Sequence, residues 1–311
     1  MSQAAVSLGA DTSVPVIDFA GFANGDAGAW AATALSIQRA LADFGFLYLR
    51  NHGVPLGVVD TLFGQAVKFF ALPEQAKRQA AAYTAPGYRA LDPSRPADYK
   101  EAFRARYGVE LSASDWPMEP IGFRDAVLAF REVAWRAGHR VMQALAVSFG
   151  LSEDYFDAAH EPPSGSALLL HYPPLTGDLL PGQARAGAHT DFGTITLLFH
   201  YKDAGGLEIQ RSDGSWLPAP CLPDACIVNA GDLLQRWTND ELRSVLHRVV
   251  APMGEAAARS RYSAVLFYQP QPTAVITCLE PCQTPDHPAQ YPPIAAGDHI
   301  LGKREATRGG S

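Results

Sequence analysis

The chain has 311 residues, 47% of them hydrophobic and 18% charged, and a formal net charge of −7. These are values of a globular protein that can bury a large core, and no low-complexity tract or repeat period suggests a disordered chain or a solenoid. The acidic balance without a Lys/Arg stripe argues against nucleic acid as the main partner, and no apolar stretch approaches the roughly 20 residues of a membrane span.

The start, Met1 to Ser13, has neither a basic region nor an apolar signal-like run, so a cytoplasmic chain is expected, acting on small molecules as a monomer or weak homo-oligomer. Pro15-Val16-Ile17-Asp18 reads as a short strand, followed by an Ala-rich helix over about 27–43 with Ala31, Leu35, Ile37, Ala40 and Leu41 on its apolar face. Gly45 ends that helix, a strand runs through 46–49, and Asn51-His52-Gly53 makes a turn in which His52 is structural. A second helix is expected over 56–71, stopped at Leu72-Pro73-Glu74. A third covers about 122–149, where Val127, Phe130, Val133, Ala134, Ala137, Val141, Leu145 and Phe149 form a core stripe.

From about Ser166 the pattern changes to short β-rich runs broken by Gly, Pro, Asp and Asn, as at Ser212-Asp213-Gly214-Ser215. Regular short strands favour an antiparallel sandwich or barrel over βαβ units. The fold class expected is mainly β with flanking α: a double-stranded β-helix (jelly roll) core buttressed by N-terminal helices. Residues 1–160 would form a helical and substrate-lid region, 161–275 the jelly-roll catalytic core, and 276–311 a tail packed on that core, all as one unit.

Within the β region, the small, loop-like Ala186-Gly187-Ala188-His189-Thr190-Asp191-Phe192-Gly193 leads into the β-branched run 194–200. Extended geometry sends residues i and i+2 to one face, so His189 and Asp191 can grip one ion from one strand end. His247, in the β-rich run Val245-Leu246-His247-Arg248-Val249-Val250, is the candidate third ligand. Two imidazoles and a carboxylate leave coordination positions of a ferrous ion open, the arrangement of non-haem iron oxygenases. Alternation along Arg261-Tyr262-Ser263 puts an arginine and a hydroxyl on one strand face, a carboxylate clamp. Cys221, Cys226, Cys278 and Cys282 lack a C-x2-C knuckle and are expected as reduced thiols rather than a zinc site.

With these motifs the chain resembles the iron(II)/2-oxoglutarate-dependent oxygenases, specifically the isopenicillin N synthase-like branch. The resemblance extends to 14–19 and 44–55 near the start, and to Ile227-Val228-Asn229-Ala230-Gly231-Asp232 ahead of the distal histidine. It implies that His189, Asp191 and His247 hold Fe(II), that Arg261 and Ser263 hold the distal carboxylate of 2-oxoglutarate, and that Tyr172 joins them. The family's Asn-Tyr-Tyr-Pro segment is Leu170-His171-Tyr172-Pro173 here, keeping the second tyrosine and placing an apolar residue at the Asn position. It further implies oxidation of an unactivated C–H bond of a small molecule, hydroxylation being the default, with dioxygen consumed and succinate and CO2 released.

The segments 87–89 and 98–104 resemble the family's pocket lid and outer wall, which makes Tyr88, Lys100, Phe103 and Arg104 substrate candidates; Leu197, Phe267 and Tyr268 are candidates for the cavity lining. An inward Arg104 would favour a carboxylate-bearing substrate. Two other readings stay open at this level: an isopenicillin N synthase-type oxidase that takes no 2-oxoglutarate, and a non-redox cupin-like metal-binding module.

Overall fold

The computed structural model describes residues 7–8, 14–23, 27–79, 87–92, 98–109, 116–175, 184–202, 205–251 and 254–309. The first part of the chain carries β1 (Ser7–Leu8), β2 (Pro15–Asp18), α1 (Ala20–Ala23), α2 (Ala27–Asp43), β3 (Phe46–Arg50), α3 (Leu56–Phe70) and α4 (Glu74–Gln79). Next come β4 (Tyr88–Arg89), β5 (Glu101–Arg106), α5 (Phe123–Ser148), α6 (Asp157–His160) and β6 (Ser164–Tyr172). The remainder holds β7 (Ala186–His189), β8 (Ile195–Tyr201), β9 (Leu207–Gln210), β10 (Trp216–Pro218), β11 (Ala225–Ala230), α7 (Asp232–Trp237), β12 (His247–Val249), β13 (Arg261–Gln269), β14 (Val275–Ile276), β15 (Ile294–Ala295) and α8 (Ala296–Gly309).

The long helices form where the sequence predicts them, but the buried side of α2 differs. Thr33, Ala34, Ile37, Ala40 and Leu41 are buried, whereas Ala31 and Leu35 face solvent. Alanine marks neither side of a helix, so in an Ala-rich segment tertiary packing sets the stripe. Gly45 then turns the chain at φ +69°, and a Cβ there would lie 2.6 Å from the carbonyl oxygen of Arg243, so both conformation and space require glycine. In α5 the expected stripe is buried, with Val133 only partly so. Full burial of a side chain such as Phe130 or Leu145 contributes about 1.5–3 kcal/mol.

The strands make a nine-stranded sheet in the order β1-β2-β3-β11-β8-β13-β6-β5-β4, a four-stranded sheet β10-β9-β12-β7, and the short pair β14-β15. Among the described residues every strand pairing is antiparallel except that of β2 with β3. The jelly-roll expectation is met by two apposed sheets that do not close. Residues 1–160 are more than a helical lid, because they supply β1 to β5 of the large sheet. The tail also carries α8, a helix with too few apolar residues to announce itself in the sequence.

Helices α2, α3 and α5 cover one face of the large sheet in a continuous core that includes Ile37, Phe69, Phe130 and Leu266. A second apolar cluster, including Phe46, Leu170, Leu207 and Val265, lies between the two sheets. Strand alternation therefore decides which residues see the intersheet space. On β8, Leu197 points to the helices and Leu198 to the cavity; on β13, Tyr268 stacks on Trp135 at 4.0 Å while Phe267 faces inward. His52 is structural, accepting from the Val54 amide at 3.1 Å and packing edge-on against Phe199. All four cysteines are free thiols. Among the described residues no helix is long and apolar enough to cross a membrane.

Candidate active site

Strands β7 and β12 are neighbours in the small sheet, and His189 and His247 are direct register partners. Their rings lie 4.3 Å apart. The segment 186–189, loop-like in sequence, is thus a strand, and this pairing aligns the two imidazoles. Asp191 follows two residues past the end of β7, and the ligand atoms of His189, Asp191 and His247 all lie within 4.8 Å of one another.

Each of the three is prepared for a cation by its neighbours. The Nδ1 of His189 meets the Gly187 carbonyl at 2.8 Å, and the Nδ1 of His247 meets the Val245 carbonyl at 3.2 Å. A carbonyl only accepts, so both Nδ1 atoms carry the proton and each Nε2 keeps its lone pair. Burial, then the adjacent His247, pushes His189 down to about 4, which leaves it neutral at physiological pH. Burial alone would raise the Asp191 carboxyl. The two histidines and hydrogen bonds from Asn229 and Thr196 outweigh it and hold the group below the usual carboxylate range. Both of those bonds fall on Oδ2, from Thr196 Oγ1 at 2.6 Å and Asn229 Nδ2 at 2.8 Å. Among the described residues, Oδ1 has no hydrogen-bond donor. Two imidazoles whose Nδ1 atoms are engaged by backbone carbonyls, leaving Nε2 for the metal, and one ionised carboxylate fit a divalent iron.

The loop that carries Asp191 is locked by backbone contacts with 231–233. The Asp232 amide donates to the Asp191 carbonyl at 2.7 Å and the Gly231 amide to the Thr194 carbonyl at 2.8 Å. A Cβ on Gly231 would collide with the Gly193 carbonyl oxygen and lie 3.0 Å from that of Asp191. Gly231→Ala is therefore expected to cost about 1–3 kcal/mol, as overpacking against backbone does, and to lower iron occupancy by moving Asp191. Thermal denaturation and iron stoichiometry check this; parent values in both would show that the loop tolerates the methyl group.

The three ligands border a cavity of about 580 Å³ between the sheets, and Arg261, Ser263 and Tyr172 line it as well. Arg261 is 3% exposed; its Nη1 lies 3.3 Å from Ser263 Oγ, and its guanidinium carbon sits 4.8 Å from the centre of the Tyr172 ring. Its Nη2 donates to His200 Nε2 at 3.0 Å. Burial and then Arg261 drive the His200 pKa far down, so the ring is neutral and able to accept. Sequence reasoning missed His200 and also Arg185, a fully buried guanidinium whose Nη2 donates to the Arg259 carbonyl at 2.9 Å. Burial and then Arg261 lower the Arg185 pKa to about 10, which keeps it charged. This end of the cavity is strongly positive.

Of the substrate candidates, Tyr88, Lys100, Arg104 and Phe267 line the cavity. Phe103, Leu197 and Tyr268 do not: Phe103 is fully buried against Phe69, Trp116 and Phe123, and all three lie on the helix-facing side of the large sheet. Asn229 and Thr196, which hold Asp191, were not singled out by the sequence, although a lone Asn inside the apolar run 225–230 is a usable sign.

Comparison with known proteins adds the chemistry. The profile of the 2OG-Fe(II) oxygenase superfamily matches residues 164–270, and that of the non-haem dioxygenase in morphine synthesis N-terminal region matches 14–120. A 2-oxoglutarate-Fe(II) type oxidoreductase, ppzD, of Metarhizium rileyi is 31% identical, with 96% of this chain and 92% of the relative covered. Validamycin A dioxygenase of Streptomyces hygroscopicus subsp. limoneus is 32% identical, over 94% and 86%. Among solved structures, a full-length Neurospora crassa protein in complex with alpha-KG superposes with a TM-score of 0.88 at 31% identity, covering 99% of this chain and 100% of that one.

Proposed function

The chain belongs to the 2OG-Fe(II) oxygenase superfamily and is a dioxygenase with Fe(II) as cofactor and 2-oxoglutarate as co-substrate; from that premise we propose how its own residues divide the work. The substrate-only oxidase and the non-redox module are set aside by the same matches. His189, Asp191 and His247 hold the iron. Arg261, Ser263 and Tyr172 receive the distal carboxylate of 2-oxoglutarate, with His200 fixing the guanidinium. Tyr88, Lys100, Arg104 and Phe267 contact the oxidised small molecule.

The observation that carries this assignment is the placement of the three ligands beside one cavity that also exposes the buried Arg261. When bound, Fe(II) with 2-oxoglutarate and dioxygen supplies the oxidising equivalents for attack on an unactivated C–H bond, releasing succinate and CO2. The protein's residues bind, orient and exclude water. The planar guanidinium of Arg261 can pair with both oxygens of a carboxylate, while Ser263 and the Tyr172 hydroxyl can each add a hydrogen bond. The apolar walls, such as Leu198 and Val265, keep the reacting centre dry. Residues 161–275 form the catalytic core in this reading, 1–160 its buttress and outer wall, and 276–311 a packed tail. The four free thiols suit a reducing, cytoplasmic setting.

The expected result with ferrous protein, 2-oxoglutarate and air is succinate formation that a ferrous chelator abolishes and added Fe(II) restores. Succinate formation indifferent to the chelator would remove the metal assignment.

A further inference from the structure

Resting on the assignment above, we propose that the cavity contains a second anion site, built on Arg104, which selects a substrate that carries a carboxylate on a compact apolar or aromatic body. The helix α8 forms the outer wall of that site.

The site is separate from the Arg261 clamp. Arg104 on β5 lies opposite Leu168 of β6, whereas Arg261 on β13 lies opposite Tyr172 of the same strand. Four residues of extended chain span about 13 Å. One 2-oxoglutarate held at Arg261 with its other end on the iron leaves Arg104 to something else.

Arg104 is charged and, among the described residues, forms no ion pair. Its Nη1 lies 3.2 Å from Ser166 Oγ and its guanidinium carbon 5.4 Å from the centre of the Phe267 ring. Among the described residues no carboxylate is within ion-pair distance of it. Asp98, the acidic group at the same mouth, is engaged by Arg89 at 2.8 Å and by Lys100. Asp191 is turned to the metal site. Burial, and then the like charges of Arg106, Arg304 and Arg89, lower the Arg104 guanidinium to about 10, still cationic at neutral pH. A cation in a cavity with apolar walls is costly until an anion meets it, and a planar fork matches a carboxylate in two hydrogen bonds.

The cavity shared by this guanidinium and the metal ligands is lined also by Phe192, Phe267 and Leu198. Aromatic and branched walls of that kind favour a flat or compact apolar body, with its carboxylate on Arg104 and a carbon directed to the iron.

The wall contributed by α8 is anchored to the metal loop. Lys303 donates to Asp232 Oδ2 at 2.8 Å, and the same carboxylate accepts from Thr190 Oγ1 at 3.1 Å. Arg304, next in sequence, lines the cavity, and its positive charge is felt by Arg104. A substrate carboxylate would relieve the repulsion between them.

The test uses the full chain loaded with Fe(II) and 2-oxoglutarate without oxygen. It is titrated with a panel of aromatic and short aliphatic monocarboxylates, each beside its primary amide, following perturbation of the visible band of the iron complex. The expected result is binding of at least one acid about tenfold or more tighter than its amide, with succinate release raised by that acid in air. Arg104→Gln should erase the acid preference with 2-oxoglutarate affinity unchanged, and Arg104→Lys should restore part of it. Because the 2-oxoglutarate titration is made on each variant, a misfolded protein is recognised at once, and the Lys variant then carries the comparison. Amides that bind as tightly as acids, a panel in which no acid binds, or an acid preference that survives in Arg104→Gln overturns the proposal. Parent acid affinity in Arg304→Gln overturns the part given to α8. Failure of the underlying assignment looks different, since the parent protein would then not bind 2-oxoglutarate.

Discussion

Replacing Asp191 by alanine is expected to reduce iron affinity by more than about 100-fold and to abolish succinate formation. Residues that only orient a metal ligand typically account for 10- to 100-fold in affinity, and Asp191 is the sole anion of its set. The same change strands two buried donors, Thr196 Oγ1 and Asn229 Nδ2, each of which donates to Oδ2. An orphaned buried donor costs about 1–3 kcal/mol, so a modest fall in thermal stability should accompany the lost metal. Asn229→Ala gives the graded control: the carboxylate remains, its orientation loosens, and affinity should fall about 10- to 100-fold. Chelator competition reads both values. Parent-like iron binding by Asp191→Ala would withdraw Asp191 from the ligand set.

Arg261→Gln is expected to raise the dissociation constant for 2-oxoglutarate steeply while leaving iron affinity nearly unchanged. Truncating one partner of a buried, hydrogen-bonded ion pair costs about 2–5 kcal/mol, or roughly 30-fold and upward in affinity. Arg261→Lys should fall between, because lysine keeps the charge but loses the fork and the donor that now reaches His200. Arg185, charged and close enough to Arg261 to feel its like charge, would keep this end of the cavity electropositive, so binding weakens rather than vanishes. Anaerobic titration of each variant against iron and against 2-oxoglutarate separates the two effects. An equal loss for both ligands would point to a collapsed cavity instead of a lost clamp.

The His189–Asp191–His247 cluster proposed to hold iron and the Arg261–Ser263 pair proposed as the clamp stood out in the sequence because their chemistry is local. His189 and Asp191 are two residues apart, as are Arg261 and Ser263, and strand alternation alone puts each pair on one face. The helices over 27–43, 56–70 and 123–148 were legible from periodicity and stop signals. What failed was parity among apolar neighbours. Leu197 pairs with Leu266 and Leu198 with Val265; Thr196 and His200, which share the parity of Leu198, bond Asp191 and Arg261 and so mark the face of β8 that carries the site, a sign the sequence reading left unused. Phe103 misled in the same way, since it sits between Ala102 and Arg104 and its bulk fills the helix-side core. Arg185, His200 and Arg304 could not be found from spacing, because they reach the cavity or its clamp from separate elements. The pairing of His189 with His247 likewise belongs to register, not to either motif.

Anaerobic titration of the ferrous protein with 2-oxoglutarate, following the weak visible charge-transfer band, tests the iron site and the carboxylate clamp together. The expected result is a saturable band in the parent, a midpoint moved to much higher concentration in Arg261→Gln, and no band in Asp191→Ala. A band of parent strength and midpoint in either variant would contradict it.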